Sequence, residues 1–348
     1  MPQLPVTLVG RISSQLDRLR REPDADGPRP ADLSAGRSLW IDIDGPVHYV
    51  DYGGPEDGLV LVAVHGLGGS AINWDLISDT LTSEVRVLAL DLPGHGRTAG
   101  LGRTTDVHAN QRLVAEFIRR VVDRPVVVMG NSMGGLIAVL QATSNPAGTQ
   151  GLVLVSPALP LVGVQLTDVR LLLEFLVIMT PGLGRLVLGT WGRFATAEMQ
   201  VERMLHKVMH DPASLPEDAL AAALAEARSR QHFKDTARDF VEATRSVISF
   251  THTRQYARQL RQLRMPVLLL HGSQDKVVSV RSAVAAASRH PQWNLQVFHG
   301  VGHVPQIEVP DRTAEAIVQW LRAEGIGASS ATEPAVDLRT EQGSGQTD

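Results

Sequence analysis

VVVMGNSMGG, residues 126–135, is the stretch of the sequence that decides the fold. Its first four residues predict a strand buried on both faces, and the pattern that follows Ser132 predicts a helix. Between them lies a G-x-S-x-G turn, in which Gly130 and Gly134 remove Cβ atoms that would clash. So tight a turn predicts a strained backbone at Ser132 and a hydroxyl exposed above the sheet edge, beside a helix N-terminus.

Strand and helix patterns alternate on both sides of this turn. Strands are predicted at residues 59–64, 85–91, 151–155, 266–270 and 295–298, with a hairpin at 39–44 and 47–52. Helices are predicted at residues 107–122, 133–143, 280–288 and 312–324. This alternation is typical of the α/β class with a doubly wound, mostly parallel sheet.

One long interval contains helical patterns and no clear strand. A plain connection of that length is uncommon, so residues 157–265 are predicted to form a helical cap over the C-terminal edge of the sheet. The α/β core then comprises residues 38–156 and 266–324. Residues 1–37 are expected to form an N-terminal helix and linker, and residues 325–348 a disordered tail.

Composition excludes several classes of function. The 348 residues carry 33 Lys and Arg against 37 Asp and Glu, a net charge of −4 that argues against nucleic-acid binding. The absence of cysteine excludes disulfides, thiolate metal sites and a cysteine nucleophile. Every long apolar stretch is interrupted, so we expect a cytoplasmic protein with no stable membrane span. Weak membrane-surface contact is conceivable only through the basic N-terminal helix.

A serine nucleophile needs a base within hydrogen-bond reach, and that base needs an orienting acid. Asp275 and His303 each follow a predicted strand, which places both at the sheet edge where Ser132 stands. Their order along the chain is nucleophile, acid, base. His303 is favoured over His299, which lacks the glycine-flanked loop, and Asp91 is expected to organise its own loop.

Acyl transfer also needs backbone donors that face the developing oxyanion. The first is predicted at the N–H of Met133. The second is predicted at the N–H of Leu67, within HGLGG at residues 65–69, whose glycines allow a carbonyl group to approach closely. His65 is expected to brace this loop rather than to act as a base.

Together these segments resemble the α/β-hydrolase fold superfamily. The resemblance rests on five motifs in the family order: residues 65–69, DLPGHG at 91–96, the Ser132 turn, GSQD at 272–275 and GH at 302–303. It implies an eight-stranded, mostly parallel sheet with an inserted helical cap. It also implies a carboxylesterase- or lipase-like serine hydrolase, with an acyl-enzyme on Ser132, His303 as general base and Asp275 orienting it.

Two alternative functions stay open. The turn at residues 130–135 is similar to that of meta-cleavage-product hydrolases, which break C–C bonds, although those enzymes usually carry an aromatic residue where this chain has Val304. A non-catalytic hydrolase-like binding protein is the alternative from another class, and the intact triad positions argue against it. Dense apolar residues at 171–188 favour a small-molecule ester that is apolar or lipid-like, with few polar anchors.

No cofactor and no metal are expected. Residues 94–99 satisfy G-x-G-x-x-A after a strand, but no clear helix follows directly, which disfavours a dinucleotide site. His206 and His210 are four residues apart, but Lys207 stands where the H-E-x-x-H motif has glutamate. These histidines are expected to lie on the cap without a metal.

Overall fold

The computed structural model describes residues 35–160, 173, 176–230, 233 and 235–327. The strands are β1 (Arg37–Asp42), β2 (Pro46–Gly53), β3 (Val60–Val64), β4 (Arg86–Leu90), β5 (Val126–Asn131), β6 (Thr149–Val155), β7 (Val267–Gly272) and β8 (Asn294–Phe298). They form one eight-stranded sheet in the order β1-β2-β4-β3-β5-β6-β7-β8. Strand β2 is antiparallel to β1 and β4, and the other neighbours are parallel, which confirms the predicted fold class.

Eleven labelled helices lie among the residues that the structure describes. They are α1 (Asp75–Thr82), α2 (Val107–Phe117), α3 (Met133–Ser144), α4 (Leu183–Phe194), α5 (Ala197–Val208), α6 (Glu217–Arg230), α7 (Thr236–Thr251), α8 (Arg254–Gln262), α9 (Val280–Arg289), α10 (Pro305–Glu308) and α11 (Pro310–Ala323). The predicted strands and helices are found close to their expected positions, and α1 was not predicted. The N-terminal helix with most of its linker, and the tail beyond residue 327, lie outside the described residues.

The two faces of the sheet bury separate apolar clusters. Along β3, Val60, Val62 and Val64 belong to one cluster, while Leu61 and Ala63 belong to the other. Helices α2 and α3 cover the first face, and α1 and α11 cover the second. Because both faces are covered, the strands are apolar throughout, as the sequence predicted.

The helices between β6 and β7 do not all lie over the edge of the sheet. Helix α8 packs against α3, and Tyr256 and Leu260 of α8 belong to the first apolar cluster. The Tyr256 hydroxyl also donates to the Ala158 carbonyl at 2.9 Å. Helices α5 and α6 instead share a third apolar cluster, together with Val304. The proposed division into core and cap at residues 157 and 265 stays a prediction.

Among the described residues, the helices are too short or too polar to span a bilayer. The cytoplasmic location stays a prediction.

Substitution of Leu61 by alanine should destabilise the fold strongly. Leu61 is completely buried, so Leu61→Ala removes apolar contacts and leaves a cavity that costs about 2–5 kcal/mol in the free energy of unfolding. Urea unfolding followed by circular dichroism measures this loss. The matched control is Leu186→Ala on α4, where the side chain is 67% exposed and the expected change is below about 0.5 kcal/mol. Equal effects of the two variants would contradict the assignment of Leu61 to the core.

Candidate active site

The turn between β5 and α3 places Ser132 in an unusual backbone conformation. Ser132 has φ 52° and ψ −114°, in the left-handed half of the conformational map that non-glycine residues rarely adopt. The Ser132 N–H donates to the Val155 carbonyl at 3.0 Å, and the Ser132 carbonyl accepts from the Ala158 N–H at 2.9 Å. A Cβ at Gly134 would collide with the carbonyl oxygen of Val64. Neighbouring strands and a glycine therefore hold the sharp turn that the sequence predicts.

Asp275 and His303, the predicted acid and base, lie in direct contact. The Nδ1 atom of His303 is 2.7 Å from Oδ2 of Asp275. The other carboxylate oxygen accepts the N–H groups of Val277 at 2.7 Å and Val278 at 2.8 Å, so both oxygens are fixed. When Nδ1 donates to Asp275, the Nε2 atom of His303 is left as a proton acceptor.

Asp275 has a second histidine partner whose role the sequence analysis missed. The Nε2 atom of His271 lies 3.2 Å from Oδ2 of Asp275, and both side chains are fully buried. Burial alone raises the pKa of Asp275, but the charge of His303 and the hydrogen bonds from both histidines outweigh it and hold this pKa well below its usual range. Asp275 is therefore an anion at neutral pH. The four-residue spacing of His271 and Asp275 across the end of β7 was the signal in the sequence that could have revealed this contact.

The loop of residues 65–69 lies against the Ser132 turn. A Cβ placed on Gly66 would be 3.2 Å from the Cβ of Ser132, so this backbone passes directly beside the serine. Leu67, a predicted oxyanion donor, borders the same cavity as Ser132. Met133, the other predicted donor, is the first residue of α3. The structure thus brings both candidate donors next to the candidate nucleophile.

His65 braces this loop and Asp91 organises its own loop at residues 91–96, as their sequence positions predict. His65 accepts the Leu92 N–H on Nε2 at 3.0 Å, and its Nδ1 donates to the Gly66 carbonyl at 2.7 Å. Asp91 accepts the Arg97 N–H at 2.8 Å across its own loop, and it also accepts the Ala71 N–H at 2.7 Å. Burial lowers the pKa of His65, which favours the neutral ring that the hydrogen bonds of His65 to Leu92 and Gly66 require.

Asn131 fixes the loop that carries His303. Its side-chain Nδ2 donates to the carbonyl of Val155 at 3.0 Å and to the carbonyl of His303 at 3.2 Å. The G-x-S-x-G pattern leaves this position open, so no local signal identified Asn131.

The helices after β6 also hold the loop of His303. The N–H of His303 donates to the carbonyl of Val208 at 2.6 Å, at the end of α5. The carboxyl group of Glu308 accepts the N–H of Gly302 at 3.1 Å and the N–H of His210 at 2.8 Å, so it bridges the same two segments. Sequence reasoning missed Glu308 because its contact with His210 crosses 98 residues of chain.

A cavity of about 1560 Å³ lies over the turn and is bordered by Ser132, Leu67 and His303. Apolar side chains supply part of its wall, among them Val177, Ile178, Leu188, Trp191, Val201 and Phe240. Charged side chains also border it: Arg185, Arg203, Lys207, Glu226, Arg230 and Arg238. The cavity therefore has more polar groups than the apolar sequence of residues 171–188 indicated.

His206 and His210, the two histidines four residues apart, do not lie on one helix. Within the described part of the chain, no group of three or more His, Asp or Glu side chains is arranged to hold a metal ion. His206 lies in the last turn of α5, and His210 follows that helix rather than continuing it.

Comparison with known proteins identifies the family. A model of the alpha/beta hydrolase family matches residues 60–316, so the chain belongs to that family. The crystal structure of naproxen esterase from Bacillus subtilis has a similar fold, with a TM-score of 0.63 and 19% identity over 92% of this chain and all (100%) of that chain. The predicted resemblance to α/β hydrolases is confirmed.

Two curated relatives differ in their reactions. The chain is 26% identical to the 2-hydroxy-6-oxononadienedioate/2-hydroxy-6-oxononatrienedioate hydrolase of Burkholderia vietnamiensis, over 79% of this chain and 91% of that protein. It is also 26% identical to the pimeloyl-(acyl-carrier protein) methyl ester esterase of Yersinia enterocolitica, over 75% of this chain and 92% of that protein. The family match supports a hydrolase, and relatives with different reactions leave the substrate open.

Glu226 of α6 should make the stability of the protein depend on pH. Burial and the nearby Asp91 carboxylate raise the pKa of Glu226 to about 7, against the opposing effects of Arg230 and the Ser70 hydroxyl. A raised pKa stabilises the fold below the unfolded value, and this stabilisation is lost as pH rises through about 7. We expect Glu226→Gln to melt within error of wild type near pH ~4 and a few degrees higher near pH ~8.

Thermal melts across that pH range measure the difference between wild type and variant. Glu315→Gln, at an exposed position on α11, is the control and should give a difference that does not change with pH. A constant difference for Glu226→Gln would contradict the raised pKa.

Proposed function

We propose that this hydrolase is a serine esterase that forms an acyl-enzyme on Ser132. The observation that carries the proposal is the strained turn at Ser132, which borders one cavity with a histidine whose Nδ1 is 2.7 Å from a buried carboxylate. A serine is a weak nucleophile unless a base removes its proton, and a strained turn is the usual means of exposing it. An ordinary glycine-rich turn needs neither feature.

The geometry supports acyl transfer in two steps, formation of the acyl-enzyme and then its hydrolysis. His303 accepts the Ser132 proton on Nε2 as Oγ attacks the ester carbonyl, and the N–H groups of Leu67 and Met133 stabilise the oxyanion. Collapse of this intermediate expels the alcohol, which takes the proton from His303. Water then attacks the acyl-enzyme with His303 again as base, and the acid is released as His303 returns the proton to Ser132 Oγ. Asp275 continues to accept the hydrogen bond from Nδ1 of His303 and stabilises the charged imidazole.

The substrate that fits best is a small-molecule carboxylic ester with an apolar acyl group. The apolar residues that border the cavity support this choice, since buried acyl chains gain about 0.8 kcal/mol for each methylene group. The resemblance to the methyl ester esterase of Yersinia enterocolitica supports ester cleavage.

Ser132 should react with a fluorophosphonate probe. We expect wild-type protein to be labelled and to hydrolyse p-nitrophenyl esters, and Ser132→Ala to lose labelling and at least about 10⁴-fold in kcat. Peptide mapping and a series of esters of increasing acyl length measure both outcomes. Ser144→Ala, on the same α3 helix but at its far end, is the control and should leave labelling unchanged. Equal labelling of wild type and Ser132→Ala would exclude Ser132 as the nucleophile.

A C–C bond hydrolase is the second candidate function. It is favoured by the resemblance to the hydrolase of Burkholderia vietnamiensis and by the turn sequence GNSMGG. Turnover of a dienone diketone analogue with no turnover of simple esters would reverse the ranking. Saturable binding of such compounds without turnover of either class would instead support a non-catalytic binding protein.

A further inference from the structure

Helix α6 directly contacts the loop of residues 65–69, which carries the candidate oxyanion donor Leu67. Arg230, at the end of α6, donates from its two terminal nitrogens to the carbonyl of Gly68 at 3.5 Å and to the carbonyl of Gly94 at 3.2 Å. Arg230 therefore ties α6 to the loop of residues 65–69 and to the loop of residues 91–96.

The held segment is a tight turn centred on Leu67 and Gly68. The N–H of Gly69 donates to the carbonyl of Gly66 at 3.0 Å, and Gly68 has φ 77°, the combination found in turns of type II. The hydrogen bond from Gly69 to Gly66 joins the peptide that contains the Gly68 carbonyl to the peptide that contains the Leu67 N–H. A guanidinium that donates to the Gly68 carbonyl therefore also restricts the direction of the Leu67 N–H.

The same turn is enclosed by side chains from two further helices of this region. A Cβ placed on Gly68 would lie 2.9 Å from Cε of Met204 on α5 and 3.4 Å from the ring of Phe240 on α7. The loop therefore has little room to rearrange on the side of the inserted helices.

We propose that Arg230 is a positioning residue for catalysis, which fixes the oxyanion turn so that the Leu67 N–H faces the reacting carbonyl. This inference rests on the proposed esterase function. Arg230 acts through the backbone of the turn and is not itself a proton carrier or nucleophile. Because the contribution is electrostatic and geometric, its loss should affect the transition state more than the bound ester.

Steady-state kinetics of Arg230→Gln on p-nitrophenyl acetate test the proposal. We expect kcat to fall about tenfold to a hundredfold while KM changes by less than about twofold. Affinity for phenylboronic acid, whose tetrahedral adduct with Ser132 imitates the oxyanion, should fall by a similar factor. Arg230→Lys, which can reach one carbonyl, should recover part of both losses.

Arg228→Gln is the matched control, because Arg228 lies on the same helix and pairs at 2.7 Å with Glu198. It should retain wild-type kcat and boronate affinity. Wild-type kcat in folded Arg230→Gln overturns the proposal, and so does a lower kcat with unchanged boronate affinity. If Arg230→Gln does not fold, Arg230→Lys takes its place in the test. Wild-type kcat in Arg230→Lys, together with a boronate affinity equal to that of Arg228→Gln, then overturns the proposal. Failure of wild-type protein to hydrolyse any ester would instead refute the esterase function.

Discussion

Ser132 has φ 52° and ψ −114°, a conformation that costs an L-residue about 1–3 kcal/mol and survives only when its surroundings hold it. Those surroundings are the central strands themselves: β6 accepts the serine N–H through Val155, and the backbone after β6 donates to its carbonyl through Ala158. Gly130 and Gly134 let β5, α3 and the end of β3 approach within contact distance. The parallel sheet is thus the frame that keeps one hydroxyl exposed at its edge.

The loops around that hydroxyl are held from two directions. From the sheet, Asp275 and Asn131 fix the side chain and the carbonyl of His303. From the inserted helices, the Val208 carbonyl holds the His303 backbone, and Arg230 holds the oxyanion turn. In the proposed function, the same helices therefore serve both substrate binding and alignment of the catalytic groups. A change in how these helices pack would alter kcat as well as substrate range.

Local patterns predicted most of the fold and the three candidate catalytic side chains. Continuous apolar runs predicted buried strands correctly because both faces of this sheet are covered. The glycines around Ser132 indicated a turn that only small residues permit. Asp275 and His303 were found because both follow strands of a parallel sheet. Helix α1 was missed because its eight residues carry only a short amphipathic pattern.

The groups that sequence reasoning missed act through long-range contacts. Asn131 meets the His303 carbonyl across 172 residues, and Arg230 meets the Gly68 carbonyl across 162 residues. Such pairs depend on how the inserted helices are placed over the sheet. Spacing within one segment carries no information about that placement, so their roles follow only from the packed structure.

The central claim is that Ser132 carries the acyl group during turnover. Rapid acid quench of the protein with p-nitrophenyl butyrate, followed by peptide mass spectrometry, tests it most directly. The account predicts a butyryl adduct on the peptide that contains Ser132, formed as fast as the initial release of p-nitrophenol and absent in Ser132→Ala. Ester turnover with no adduct on that peptide, or with the adduct on another residue, would contradict it.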